Sequence, residues 1–112
     1  GLKQLDLRGG ILGDASLELL AAVTGLERLA LDGAAVTDVG LEQLTAHKKL
    51  SILSLRNSKI SDVGLESLAK ISSLRVLYVD GCVGLTQSGV DELRKKRPDL
   101  KLSWEANGRR GS

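Results

Sequence analysis

The pentapeptide DVGLE occupies Asp38–Glu42 and recurs at Asp62–Glu66, 24 residues further on. On both sides of the two copies the flanking sequence keeps the same offset. Leu2 opens LKQLDLRGGILGDASLELLAAVTG, and Leu26 opens LERLALDGAAVTDVGLEQLTAHKK. Leu50 opens LSILSLRNSKISDVGLESLAKISS, and Leu74 opens LRVLYVDGCVGLTQSGVDELRKKRPD. The chain therefore divides into units 2–25, 26–49, 50–73 and 74–99, the fourth longer by one residue near Gly84 and another in its basic run. A fixed period of this length is the signature of a repeat architecture, in which one unit cannot bury its own apolar face and stacked units can.

Each unit has two halves. The front reads L-x-x-L-x-L, whose last two leucines alternate with polar neighbours at the period of a half-buried strand. In the back half, Val36, Leu41 and Leu44, and likewise Ile60, Leu65 and Leu68, are spaced as one stripe of a short helix. Thr37-Asp38 and Ser61-Asp62 precede these stripes and are expected to supply the N-cap oxygens of the helices that follow, Asp38 and Asp62 recurring as helix caps. Gly40, Gly64 and Gly89, with Ser16 in the first unit, keep the first helical turn slim, as a closely passing neighbour requires. A strand, turn, helix and return in so few residues predict a right-handed coil.

L-x-x-L-x-L followed by VTDVGLEQL and ISDVGLESL resembles a leucine-rich repeat, and LYVDGCVGLTQSGVDEL is similar to its cysteine-containing subtype. That subtype occurs in F-box substrate receptors, related adaptors and bacterial proteins with repeats of this length. Only the fourth unit carries the cysteine. Gly10, Ala34 and Ser58 stand in the others, and no F-box-like segment is present. The resemblance covers about residues 2–105. It implies an α/β leucine-rich repeat solenoid with a concave parallel sheet, convex helices and a protein-binding role. RPDLKLSWEA reads as a closing strand over 100–105, with Pro98 stopping the fourth helix, Leu100 and Leu102 turned inward, and Trp104 covering the last layer. The basic ANGRRGS end, 106–112, reads as a disordered tail. Because Leu2 enters directly into a repeat, preceding chain or another subunit is expected over the first coil.

Composition agrees with aliphatic layers. There is no Phe or Met and one Trp and one Tyr, so the core must come from Leu, Val, Ile and Ala. No apolar run approaches the ~20 residues of a membrane-spanning helix, and no membrane partner is expected. One cysteine and no Asn-x-Ser/Thr sequon favour a reducing, intracellular setting.

Catalysis is not expected. His47 and Cys82 are single residues of their kinds, too few for a nucleophilic pair or a zinc site, and no cofactor or metal is implied. His47, beside Lys48 and Lys49, reads as a solvated helix end, and Cys82 as a buried structural thiol. The glycines of RGGILGD and DGCVGLTQSG match no phosphate-binding pattern.

Binding is therefore sought on outward strand positions. The third position of the units reads Gln4, Arg28, Ile52, Val76, the fifth Asp6, Ala30, Ser54, Tyr78, and the seventh Arg8, Asp32, Arg56, Asp80. The seventh position alternates in sign and predicts a cross-strand ionic ladder. Ile52, Val76 and Tyr78 are apolar where the fold does not demand it, and exposed aromatic and aliphatic clusters concentrate binding energy. With Arg28, Ser54, Arg56 and Asp80 they form the candidate partner-binding set. Nucleic acid is disfavoured. Residues 1–93 hold 9 basic and 12 acidic groups and residues 94–112 hold 7 and 2, so no basic track is continuous and no aromatics interleave. The reading is a non-catalytic module binding a protein or peptide on the concave face. The alternative is a structural or assembly subunit, or the C-terminal part of a larger protein.

Overall fold

A computed structural model describes residues 3–8 and 13–104. Leu2, Gly10 and the tail 106–112 lie outside the described residues. The front of each unit makes a three-residue strand, β1 Gln4–Asp6, β2 Arg28–Ala30, β3 Ile52–Ser54 and β4 Val76–Tyr78, and the stretch after the fourth unit makes a fifth, β5 Lys101–Ser103. They form one parallel sheet in chain order. The first three pairings keep the repeat offset, so Leu5, Leu29, Leu53 and Leu77 sit side by side. Leu77 then pairs with Leu102, one residue beyond that offset, so the pairing absorbs only one of the two extra residues counted in the fourth unit. Leu100 is buried like Leu74, and its N–H bonds the Arg97 carbonyl as that of Leu74 bonds the Ile71 carbonyl. The shortfall therefore falls between Leu100 and the paired part of β5.

The crossovers that parallel strands require are α1 Asp14–Leu20, α2 Asp38–Leu41, α3 Asp62–Ala69 and α4 Gln87–Lys96, each packed on the next. α2 is one turn long and continues as a 3-10 helix over Glu42–Ala46. The core lies between sheet and helices and is one cluster. Leu29, Leu53 and Leu77 come from the strands, and Leu41, Leu44, Leu65, Leu68, Val90 and Leu93 from the helical side. Each fully buried leucine contributes about 1.5–3 kcal/mol of transfer free energy, which makes these ladders the dominant stabilising element. α4 ends before Pro98, whose ring cannot continue a helix, and Trp104 is half-buried against the last layer.

The repeated DVGLE is a junction between units. Asp14 Oδ1 accepts from the Thr37 N–H at 2.8 Å, Asp38 Oδ1 from the Ser61 N–H at 2.7 Å, and Asp62 Oδ1 from the Thr86 N–H at 2.9 Å. The second oxygen of each carboxylate accepts the hydroxyl of the same Thr or Ser. A Cβ on Gly40, Gly64 or Gly89 would collide with the carboxylate of Asp14, Asp38 or Asp62 respectively, which accounts for the recurring glycine. Asp38 and Asp62 thus do not cap their own helices, as the sequence suggested. The Ser61 hydroxyl does, as expected, accepting from the Val63 N–H, and so does that of Thr86 from Gly89, whereas the Thr37 side chain makes no cap bond. After the strands, Gly33, Asn57 and Gly81 take φ of 73°, 60° and 76°, the left-handed turn that Gly and Asn tolerate.

Candidate protein-interaction surface

The register lines up two outward rows on the sheet. One runs Gln4, Arg28, Ile52, Val76, Lys101 and the other Asp6, Ala30, Ser54, Tyr78, Ser103. Lys101 and Ser103 join the rows because of the shortened last step. Arg28 is exposed, Ile52, Val76 and Tyr78 are half-buried, and the first three are adjacent in one row. A hollow of about 390 Å³ lies over β1–β3, with Ala30 at its floor and Arg28, Ile52, Asp6 and Ser54 around it. A second, about 240 Å³, lies over β4–β5 beside Val76, Tyr78 and Lys101.

The charges do not form the expected ladder. Arg8 pairs with Asp6 of its own unit at 2.6 Å instead of reaching Asp32. That contact holds the Asp6 carboxyl below the usual range, through its hydrogen bonds with Arg8. Asp32 accepts the Ser54 hydroxyl and, at 3.0 Å, the Arg56 N–H, so it behaves as a half-buried backbone clamp. Of the four seventh-position residues, only Arg56 and Asp80 pair with each other, at 3.2 Å, and Asp80 also accepts the Ser103 hydroxyl at 2.8 Å. The Arg56 guanidinium lies 4.3 Å from the centre of the Tyr78 ring, a cation–π contact that fixes the aromatic side chain. Ser54 is 8 % exposed and engaged with Asp32, so this candidate partner-binding residue is not available as a contact. A small side chain beside a carboxylate one strand away is the reason, and the sequence row does not display it.

His47 also departs from its expected role. It follows the 3-10 helix, as a helix end should, but is 1 % exposed with neither ring nitrogen hydrogen-bonded among the described residues. Burial pushes its pKa down. The Val23 carbonyl acts in the opposite direction without reaching hydrogen-bond geometry. Cys82 is buried, its thiol donates to the Leu55 carbonyl at 3.0 Å, and burial pushes its pKa up, which suppresses the nucleophilic thiolate.

The basic run serves the fold. Arg97 donates to the carbonyls of Ile71 at 2.8 Å and Leu74 at 2.6 Å, closing the turn that follows α3, and pairs with Asp99 at 3.0 Å. Its hydrogen bond with Asp99 holds that carboxyl below the usual range. Arg94 and Lys95 sit beside Asp91 and Glu92 on the helix.

On the helical side, Leu19, Val39 and Val63 are well exposed, and a surface hollow of about 220 Å³ is lined by residues of both α3 and α4. The valine of DVGLE falls between the junction Asp and Gly and off the buried stripe, a signal that the sequence did carry. No described helix is long and apolar enough to cross a membrane. No protein-family model matches the chain, and no curated protein matches it either.

Proposed function

We propose that the chain is a leucine-rich repeat solenoid acting as a non-catalytic interaction module that binds a protein or peptide on the outward face of its sheet. The observation that carries this reading is the apolar neighbourhood of Ile52, Val76 and Tyr78 on that face, bordered by two hollows. Tyr78 is held in place by Arg56, and immobilised aromatic anchors are where interface energy concentrates. The test uses peptides selected from a random displayed library on the immobilised full chain. Tyr78→Ala and Ile52→Asp should each weaken their binding by at least ~1 kcal/mol in calorimetry, with unchanged folding. Equal affinity for wild type and both variants refutes the reading.

A second reading, a subunit built into a larger assembly, is favoured by the exposed Leu19, Val39 and Val63 on the opposite side. Concentration-dependent sedimentation that is abolished by Val39→Lys with Val63→Lys, and untouched by Tyr78→Ala, would select it.

A further inference from the structure

The outward row through the third strand position has a charge pattern that names the kind of ligand. Its order is Gln4, Arg28, Ile52, Val76, Lys101, so two aliphatic side chains stand between two cations. Arg28 and Lys101 are both exposed, and neither makes an ion pair or side-chain hydrogen bond among the described residues. The carboxylates on the same face are engaged. Asp6 holds Arg8, Asp32 holds Ser54 and the Arg56 N–H, and Asp80 holds Arg56 and Ser103. What the face leaves uncompensated is positive, at two points.

We infer that this face takes an extended peptide carrying two carboxylate side chains four residues apart, with an apolar side chain midway between them. The inference rests on the interaction reading above and specifies its ligand. Arg28 and Lys101 are three strand spacings apart, about 14 Å at ~4.8 Å per strand. Along an extended peptide, side chains on one face recur every second residue, or about 6.8 Å at ~3.4 Å per residue. Positions i and i+4 are thus about 13.6 Å apart and match the two cations, while i+2 falls over Ile52 and Val76. The hollow beside Arg28 gives the peptide room on one side of these aliphatic residues, and the hollow beside Lys101 on the other. A nucleic-acid strand fits less well. Its charges, about one per 3.4 Å of each strand in a duplex, would place phosphates over the aliphatic pair.

Random nine-residue peptides displayed on phage are selected on the full chain, and the selected peptides are measured by fluorescence anisotropy against Arg28→Gln, Lys101→Gln, the double variant of the two, Tyr78→Ala and wild type. Neither Arg28 nor Lys101 supports another described side chain, and matching thermal melts verify that the double variant is folded. The expected result is enrichment of acid-x-apolar-x-acid sequences. Each single cation removed should weaken their binding about threefold and both about tenfold, less at high salt. Enriched peptides without the spaced acids, weakened by Tyr78→Ala and indifferent to the double variant, overturn the inference and leave the interaction reading standing. No enrichment, or binding indifferent to every variant of the face, overturns both. An oligothymidylate that binds more tightly than any selected peptide, and is weakened by the double variant, overturns the inference in favour of nucleic acid.

Discussion

Replacing His47 with leucine should stabilise the protein and remove part of its acid sensitivity. The imidazole is 1 % exposed and neither of its nitrogens has a hydrogen-bond partner among the described residues. An unsatisfied buried polar group costs about 1–3 kcal/mol, whereas an apolar side chain of similar size at the same site costs nothing of this kind. Allowing for imperfect fit of the leucine, His47→Leu should gain about 1–2 kcal/mol near neutral pH, or about 4 °C or more in Tm for a domain of this size. The pH dependence follows from the direction of the shift. Burial lowers the folded pKa below the ordinary 6.5, so between the two values the unfolded chain binds a proton that the folded chain does not. Wild-type stability is therefore complete above the unfolded value, falls as pH drops below it, and stops falling once the folded pKa is passed. The slope in that window is at most about 1.4 kcal/mol per pH unit. Urea unfolding followed by circular dichroism from about pH 7.5 to about pH 4.5 on both proteins isolates this contribution, because Asp6 and Asp99 titrate alike in each. Parallel stability curves, or a variant less stable than wild type at neutral pH, would refute the reasoning.

Asp32→Arg should destabilise by about 2 kcal/mol and with little salt dependence, because it orphans the Ser54 hydroxyl and the Arg56 N–H; an exposed ladder charge would cost under about 1 kcal/mol and vary with salt. Chemical denaturation at low and high sodium chloride distinguishes the two. Asp38→Ala should cost about 2 kcal/mol through the half-buried Ser61 N–H and hydroxyl, and Gly64→Ala should also destabilise; a double-mutant cycle should show that the two are not additive, since removing the carboxylate relieves the closer clash and leaves only that with Leu41 Cδ1. Arg97→Ala should lower stability by about 2–3 kcal/mol in the same assay, while Lys95→Ala, whose ion pair is exposed, should stay within about 0.5 kcal/mol.

The repeat frame could be read from the sequence because it depends on short-range periodicity. Leu29, Leu53 and Leu77 of the three inner strands, and Val36, Leu41 and Leu44 behind them, are buried as their spacing requires, while Leu5 and Leu102 of the outer strands are partly buried. The outward rows were legible for the same reason, since a parallel register at the repeat offset places Arg28, Ile52 and Val76 side by side. What was not legible depends on where polar atoms meet across units. Ser54 stands at an outward position but is covered by Asp32, and Asp38 stands at a helix start but places its oxygens on the next unit. His47 kept its place at a helix end, but the layers around that end close over it. Lys101 entered the row only because the last pairing takes one residue fewer than the leucine spacing suggested.

The Asp–Ser/Thr–Gly junction has a direction: the earlier unit always supplies the carboxylate, and the later one supplies the two donors and the space. A 24-residue block cut at equivalent points of the second and third units carries the matching part at each end, so a duplicate inserted between them would complete this junction on both sides. Such an insertion would widen the outward face by one strand, about 4.8 Å, without altering the chemistry of the joints. The first and fourth units are not interchangeable in this way, because Ser16 stands at the glycine position and Gln87 at the aspartate position. Reach and stability are therefore set by different residues. The span between Arg28 and Lys101 could be lengthened in fixed steps by copying the middle units, as a ruler is extended by adding marks of equal width.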